Sequence, residues 1–238
     1  MLLFPVYWIH SMLDSYNRTT IESLEKEQSA YLRAELKAGF PLSIEGRNHE
    51  FRVETEILDV GSVSTKKLNL CLDLIDKNLG SKYACLHGPT WKKDKIKEMR
   101  DFGLIYILLY DHKTKSGLKL AGFLSMKIVV YGGFSVLYLY EIQLDEAYRN
   151  NGIGSQAMHF FSHIPDKLNL NRQYMSRFYP LDGTSLTVFS DNTGALRFYR
   201  AHGYKFSNLS PRDRRLKDKS VEKPSYYILI KYSSAARS

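Results

Sequence analysis

What this chain has little of bounds it first. Two cysteines, Cys71 and Cys85, in 238 residues cannot build a disulfide framework, which suits a reducing compartment. No apolar run reaches the roughly 18 residues of a membrane-crossing helix, so no membrane partner is expected. The start, MLLFPVYWIHSML, is apolar but has neither the basic n-region nor the small-residue cleavage site of a secretory signal. It is expected to pack on the domain as an arm. There is no internal repeat and no low-complexity tract. Proline and glycine, at 7 and 15 residues, are too few for a disordered chain, and an apolar fraction of 44% supports a globular one. Acidic charge is scarce as well: the formal net charge is +9, and no carboxylate occurs between Asp111 and Glu141.

What the chain does have is concentrated between Leu137 and Phe161. Leu137 to Leu144 reads as a buried strand carrying one carboxylate, Glu141, in its middle. The turn Arg149-Asn150-Asn151-Gly152-Ile153-Gly154 then opens a helix in which Ile153, Ala157, Phe160, Phe161 and Ile164 recur on one face. A strand, a glycine turn and a helix N-terminus suit a phosphate. Unpaired N–H groups point outward, the dipole favours an anion, and Gly152 and Gly154 allow close approach. The turn is too short for a Walker loop and lacks the first glycine of the dinucleotide fingerprint.

A second signature, SLTVFSDNTGALRFYRAHGY from Ser185 to Tyr204, reads as a strand, a helix started by Asp191 or Asn192, and a stop at Gly203. Elsewhere the pattern predicts a helix over Asn17–Lys37 and a strand over Glu50–Leu58. A helix over Ser64–Asn78 should stop at Gly80, and another should start at Trp91. Two strands, Gly103–Asp111 and Leu118–Val130, are expected around a His112–Gly117 turn. A Gly132-Gly133 turn follows, then an inserted loop over Ile164–Gly183, broken by Pro165 and Pro180, and a last strand over Ser225–Tyr232. The sum is a mixed α/β sheet with helices on both faces.

Several residues invite a chemical reading. An unpaired carboxylate at Glu141 would be costly, would hold a proton more readily, and could act as a base; a solvent-facing or Lys-paired Glu is the bland alternative. Tyr199 reads from the residues as a core aromatic stacked with Phe198. Asn192 could cap its helix and also bond a ligand. Cys71 lies on an apolar stripe and reads as packing. His159 and His163 are spaced like a metal pair, but Phe160 stands where a zinc-protease helix needs Glu, so no metal is expected. Asp145 and Glu146 read as solvated or loop-capping. The basic cluster Arg212, Arg214, Arg215, Lys217, Lys219 and Lys223 reads as a solvated mobile loop, or else as a docking patch for RNA, chromatin or phosphate. No motif for sequence-specific nucleic-acid binding appears.

Arg149-x-x-Gly152-x-Gly154 resembles the acyl-CoA loop of the GCN5-related N-acetyltransferase (GNAT) fold, and Ser185–Tyr204 resembles that fold's closing strand-helix-strand. VLYLYEIQL, LTVFSDN, PSYYIL, the Leu79-Gly80-Ser81-Lys82-Tyr83 stretch and Trp91-Lys92 together resemble the N-alpha-acetyltransferase 40 (NatD) family, over roughly Leu42 to Tyr232. The resemblance implies a GNAT fold: a mixed, mostly antiparallel central sheet flanked by helices. It would comprise an arm and helical extension (1–41), the acetyltransferase domain (42–232) and a tail (233–238). It implies transfer of acetyl from acetyl-CoA to the N-terminal serine of core histones beginning Ser-Gly-Arg-Gly, by direct attack in a ternary complex. Glu141 would be the base and Tyr199 the proton donor. Acetyl-CoA would lie along Ile142, Gln143 and Leu144, with its diphosphate on Asn150, Asn151, Gly152, Ile153, Gly154 and Ser155 after Arg149, and a further contact at Asn192. The peptide would be held by Tyr83, Trp91, Tyr138, Tyr140, Thr187 and Tyr226. A monomer in cytoplasm and nucleus, meeting histone tails and associating with the ribosome, is the implied setting. The family places acids on the hairpin before the Glu strand to pair with the substrate arginine; Lys127 to Tyr131 here has none. A lysine or polyamine acetyltransferase, or a silent CoA-binding or chromatin-docking module, is the competing expectation.

Overall fold

In the computed structural model, residues 18–47, 51–111 and 119–234 are described; the apolar arm and the His112–Gly117 turn lie outside them. Ten strands and six helices run in the order α1 (Arg18–Gly39), β1 (Ser43–Glu45), β2 (Arg52–Asp59), α2 (Thr65–His87), α3 (Trp91–Glu98), β3 (Ile105–Asp111), β4 (Lys119–Tyr131) and β5 (Phe134–Leu144). There follow α4 (Ile153–Leu170), α5 (Arg172–Met175), β6 (Gly183–Phe189), α6 (Thr193–Ala201), β7 (Lys205–Phe206), β8 (Arg214–Arg215), β9 (Val221–Glu222) and β10 (Tyr226–Tyr232).

Eight strands form one sheet in the order β1-β2-β3-β4-β5-β6-β10-β7. All its neighbours are antiparallel except β5 and β6. That parallel pair is short. It joins Val136 to Gly183 and ends at Leu139–Leu186, after which the strands diverge and leave a cleft. The β4–β5 hairpin turns on Gly132 and Gly133, whose φ values of 55° and 84° are those a two-residue twisted turn requires.

Two apolar layers sandwich the sheet. Leu32 and Leu36 of α1, with Ala157, Met158, Phe161, Ile164 and Leu168 of α4, pack one face. Leu68, Cys71, Leu74, Ile75 and Tyr83 of α2, with Trp91 of α3, pack the other. The helix before residue 41 is thus part of the core rather than an appendage. At the other end, Ser233 is buried and its hydroxyl donates to Asp166 at 2.5 Å.

Several elements differ from the sequence expectation. Gly80 does not stop α2, which runs on to His87 and ends at Gly88, φ 77°. Gly80 is buried against Trp91, whose Cζ2 would lie 3.7 Å from an added Cβ; packing outweighs the roughly 1 kcal/mol that glycine costs in a helix. Pro165 does not break α4 either. Ile164, Pro165 and Leu168 are all buried, so the apolar face continues across the proline, and α5 follows where a loop was expected. The basic cluster forms a separate two-stranded hairpin, β8–β9, closed by an Arg214–Glu222 ion pair at 2.6 Å.

Candidate active site

A cleft of about 950 Å³ opens where β5 and β6 part. Its lining includes Glu141, Ile142, Gln143 and Leu144 of β5; Leu186, Thr187, Val188 and Phe189 of β6; Arg149, Asn150, Gly152, Gly154 and Ser155 of the turn; and Asn192 and Tyr199 at α6. Tyr83, Lys95, Glu98, Tyr138 and Tyr140 close it on the side of α2 and α3.

A bulge aims the carboxylate. The β4–β5 register pairs Met126 with Leu139 but Ser125 with Glu141, so Tyr140 is an extra residue on β5. Strict alternation would put Glu141 on the same face as Leu137 and Leu139, beneath α4. Instead Ile142 and Leu144 pack with those leucines, while Glu141 turns to the α2–α3 side. There it is 6% exposed and well partnered. Oε1 lies 2.6 Å from Lys95 Nζ and accepts from Tyr83 Oη at 3.1 Å; Oε2 accepts from Gln143 Nε2 at 2.7 Å. The unpaired carboxylate expected from the sequence is in fact paired, and with a cation that sequence reading passed over. Lys95 lay unnoticed in a lysine-rich helix, though its spacing of three from Glu98 was a usable signal.

Lys95 is 4% exposed and also bonds Glu98 Oε1 at 2.5 Å. Burial works to lower its pKa, but the carboxylates of Glu141 and Glu98 outweigh that and raise it well above the ordinary lysine value. Burial raises Glu98 in turn. The Tyr83 hydroxyl is pushed up by burial and by the nearby Glu141 charge, and its ring stacks on Trp91 at 4.8 Å. Burial, with Glu141 adding, also raises Tyr199, so its hydroxyl keeps its proton.

The turn has the geometry of an anion cradle. Asn150 and Gly152 take φ values of 62° and 83°, and Gly152 caps α4 without a side-chain bond. The N–H of Gln156 bonds Gly152 O at 3.0 Å, which puts the N–H groups of 153–155 at the helix mouth. An added Cβ at Gly152 would meet Arg47 Cγ at 3.1 Å, so Arg47, a second residue missed in the sequence, stands over the cradle. Arg149 is spent elsewhere, donating to Leu144 O at 3.1 Å and to Asn78 Oδ1. Ile153 is wholly buried in the core and offers the cleft only main chain; Asn151 is absent from the lining and donates to Arg149 O. These donors and the glycine at positive φ fit a diphosphate.

The other expected site residues fall as follows. Thr187 Oγ1 and Tyr138 Oη are 2.5 Å apart. The Tyr140 hydroxyl is enclosed and has no hydrogen-bond partner among the described residues. Trp91 sits behind Tyr83, and Tyr226 stands across from Phe189 at the start of β10; neither lines the cleft. Asn192 Oδ1 caps α6 through Ala195 N at 3.1 Å. Asp145 accepts from Ala147 N and pairs with Lys77 at 2.9 Å. His163 Nδ1 lies 2.6 Å from His159 O, and no group of three metal-ligating side chains occurs among the described residues.

The chain was compared with known proteins. The model of the Acetyltransferase (GNAT) family matches residues 78–204, a span that contains Lys95, Glu141, the glycine turn and Tyr199. N-alpha-acetyltransferase 40 of Saccharomyces cerevisiae (strain ATCC 204508 / S288c) is 32% identical over 161 residues, 60% of this chain and 53% of that protein. The match thus spans about half the length of the relative. Among solved structures, PH1933 from Pyrococcus horikoshii OT3 is 18% identical, covering 76% of this chain and 99% of its own, at a TM-score of 0.47. NAA60 of Arabidopsis thaliana, in complex with a bisubstrate analogue, is 13% identical, with the same coverages and a TM-score of 0.45. On the family match, which takes in more than half of its residues and all of the cleft's central elements, this chain belongs to the GNAT acetyltransferase family.

Proposed function

We propose that the chain transfers acetyl from acetyl-CoA to the α-amine of a peptide N-terminus, by direct attack with both substrates in the cleft. The observation that carries this reading is the split between β5 and β6, which opens one cleft onto a partnered carboxylate on β5 and an anion cradle at the turn into α4. Acetyl-CoA supplies an acyl thioester already activated toward amines, so no covalent enzyme intermediate is needed. The N–H groups of 153–155 and Arg47 bind its diphosphate, and the open edge of β5 along Ile142–Leu144 takes the arm.

Tyr138, Tyr140 and Thr187 orient the peptide terminus, with the enclosed Tyr140 hydroxyl as a ready hydrogen-bond partner. Glu141 takes the proton that the ammonium must lose before attack. As the carbon–nitrogen bond forms and the carbon–sulfur bond breaks, Tyr199 delivers a proton to the departing sulfur and is reprotonated by the second proton that the nitrogen sheds on becoming an amide. An α-amine, with a pKa near 8, asks less of a base than a lysine near 10.4.

We further propose a histone tail of the Ser-Gly-Arg-Gly type as substrate, met in cytoplasm or nucleus and in part at the ribosome. The likeness to the yeast N-alpha-acetyltransferase 40 supports an α-amine as acceptor, and the resemblance of the Glu141 strand and its neighbours to the NatD family supports this tail. So does the charge around Tyr140, where the carboxylates of Asp101 and Glu98 act on the hydroxyl. These acids come from α3 and the loop after it rather than from the β4–β5 hairpin. The test is mass spectrometry of a Ser-Gly-Arg-Gly-Lys peptide incubated with acetyl-CoA and the chain. The acetyl is expected on the α-nitrogen; label on the lysine ε-nitrogen, or none, overturns the reading.

A further inference from the structure

Lys95 is a buried cation on the wall of a cleft, and neither the acyl-CoA cradle nor the peptide terminus calls for it. Its Nζ bridges Glu141 Oε1 at 2.6 Å and Glu98 Oε1 at 2.5 Å, and stands 5.3 Å from the centre of the Tyr83 ring. Packing alone does not explain it. An apolar side chain of similar length would fill the same space without the desolvation cost of an ammonium. Nor does α3 need it for anchoring, because Trp91 already stacks on Tyr83.

We infer that Lys95 is a positioning residue for acetyl transfer, its ammonium keeping the Glu141 carboxylate ionised and turned toward the cleft, with Glu98 fixing the ammonium from behind. The inference rests on the reading of Glu141 as the base. Enclosed on the α2–α3 side, a lone carboxylate would take up a proton near neutral pH and could accept none from an amine. The cation prevents that, and the second carboxylate stops the cation from neutralising the base outright.

The other groups facing this cluster do not replace Lys95. From α2 come Cys71, which burial and Glu141 raise to about 12, Tyr83, raised, and His87, which burial and Lys95 lower. From β3 comes Tyr106 and from α6 Tyr199, both raised chiefly by burial. From β5 come Tyr138 and Tyr140, raised by burial; Asp101, beyond α3, adds negative charge. These are neutral near pH 7 or anionic. Lys95 is the group among them that carries positive charge into the contact with Glu141.

The experiment follows the Glu141 side-chain carbon by NMR in protein labelled with 13C-glutamate, assigned by its loss in Glu141→Gln, and measures kcat against pH in parallel. In Lys95→Met the carboxylate should titrate about one pH unit or more higher than in the native protein. In that variant kcat should fall as pH drops through the raised titration and be regained above it, with the acetyl-CoA Kd unchanged. Lys95→Arg should restore the native titration. Glu98→Gln, which leaves the ammonium to Glu141 alone, should move the titration the opposite way. A titration unmoved in Lys95→Met, or a kcat loss equal at every pH, overturns the inference. Should Lys95→Met fail to fold, Glu98→Gln decides: an unmoved or upward titration overturns it. The NMR result needs no turnover, so an absence of acetyl transfer by the native protein would sink the proposed function while this inference is still judged on its own.

Discussion

The two walls of the cleft are built in opposite ways. The wall proposed to face the coenzyme is one continuous stretch from Leu144 to Ser155, and its working parts are main-chain N–H groups at a helix mouth held open by a glycine at φ 83°. The wall proposed to face the amine is gathered from α2, α3 and β5. Tyr83 bonds Glu141 across 58 positions of sequence, and Lys95 comes from a third element. A backbone cradle depends on local conformation and tolerates side-chain change. An ion-paired base depends on several side chains arriving together, and is weakened when any one is cut.

The sharpest way to break that contrast is Glu141→Gln. Turnover should fall by about 10²–10⁴-fold, the usual worth of a positioned proton acceptor, while acetyl-CoA binding by calorimetry stays near the native value; equal losses in both would erase the distinction between the walls. Gly152→Val tests the other wall. A β-branched residue at that φ carries about 1–3 kcal/mol of strain and would crowd Arg47, so Kd for acetyl-CoA should rise by about tenfold or more with kcat at saturation little changed. Tyr83→Phe removes one hydrogen bond of Glu141 and leaves the stacking on Trp91. It should cost about 1 kcal/mol, read as a several-fold fall in kcat.

Acidity gives a fourth check. With Lys95 raised above its ordinary value, the ammonium stays charged wherever an α-amine titrates. The activity of the native protein should therefore rise as pH passes through about 8, the amine's own value, and Lys95 should cause no fall below about pH 10. The smallest effect concerns the cysteines. Cys71 is buried and pushed up to about 12, whereas Cys85 is exposed. Iodoacetamide at pH 8 should label the folded protein once, at Cys85, without loss of activity; labelling of Cys71 would place a nucleophile in the wall behind Glu141.

The residues proposed for the coenzyme side have signals that are local. Glycines at Gly152 and Gly154, a carboxylate isolated among Leu, Ile and Tyr, and an Asn-capped helix at Asn192 all lie within short windows. The amine side was only half legible. Tyr83 and Trp91 entered through resemblance, and Trp91 turns out to support Tyr83 from behind. Lys95 and Glu98 were invisible among the charges of a short polar helix, because nothing in Trp91–Glu98 says which lysine is turned inward. Pro165 and Gly80 misled for the same reason: local propensity argues for a break, and burial against a neighbouring element decides otherwise.

By itself, then, the sequence determined the order of strands and helices around the glycine turn, the apolar faces that sandwich the sheet, and the identity of the one carboxylate on β5. Only the tertiary structure decided which way that carboxylate points and what holds it. A single extra residue at Tyr140 reverses the alternation of the strand, and the cation that meets Glu141 lies 46 positions earlier in the chain. Side-chain direction within a bulged strand and the pairing of distant charges are set by register and packing, which no window of neighbouring residues contains.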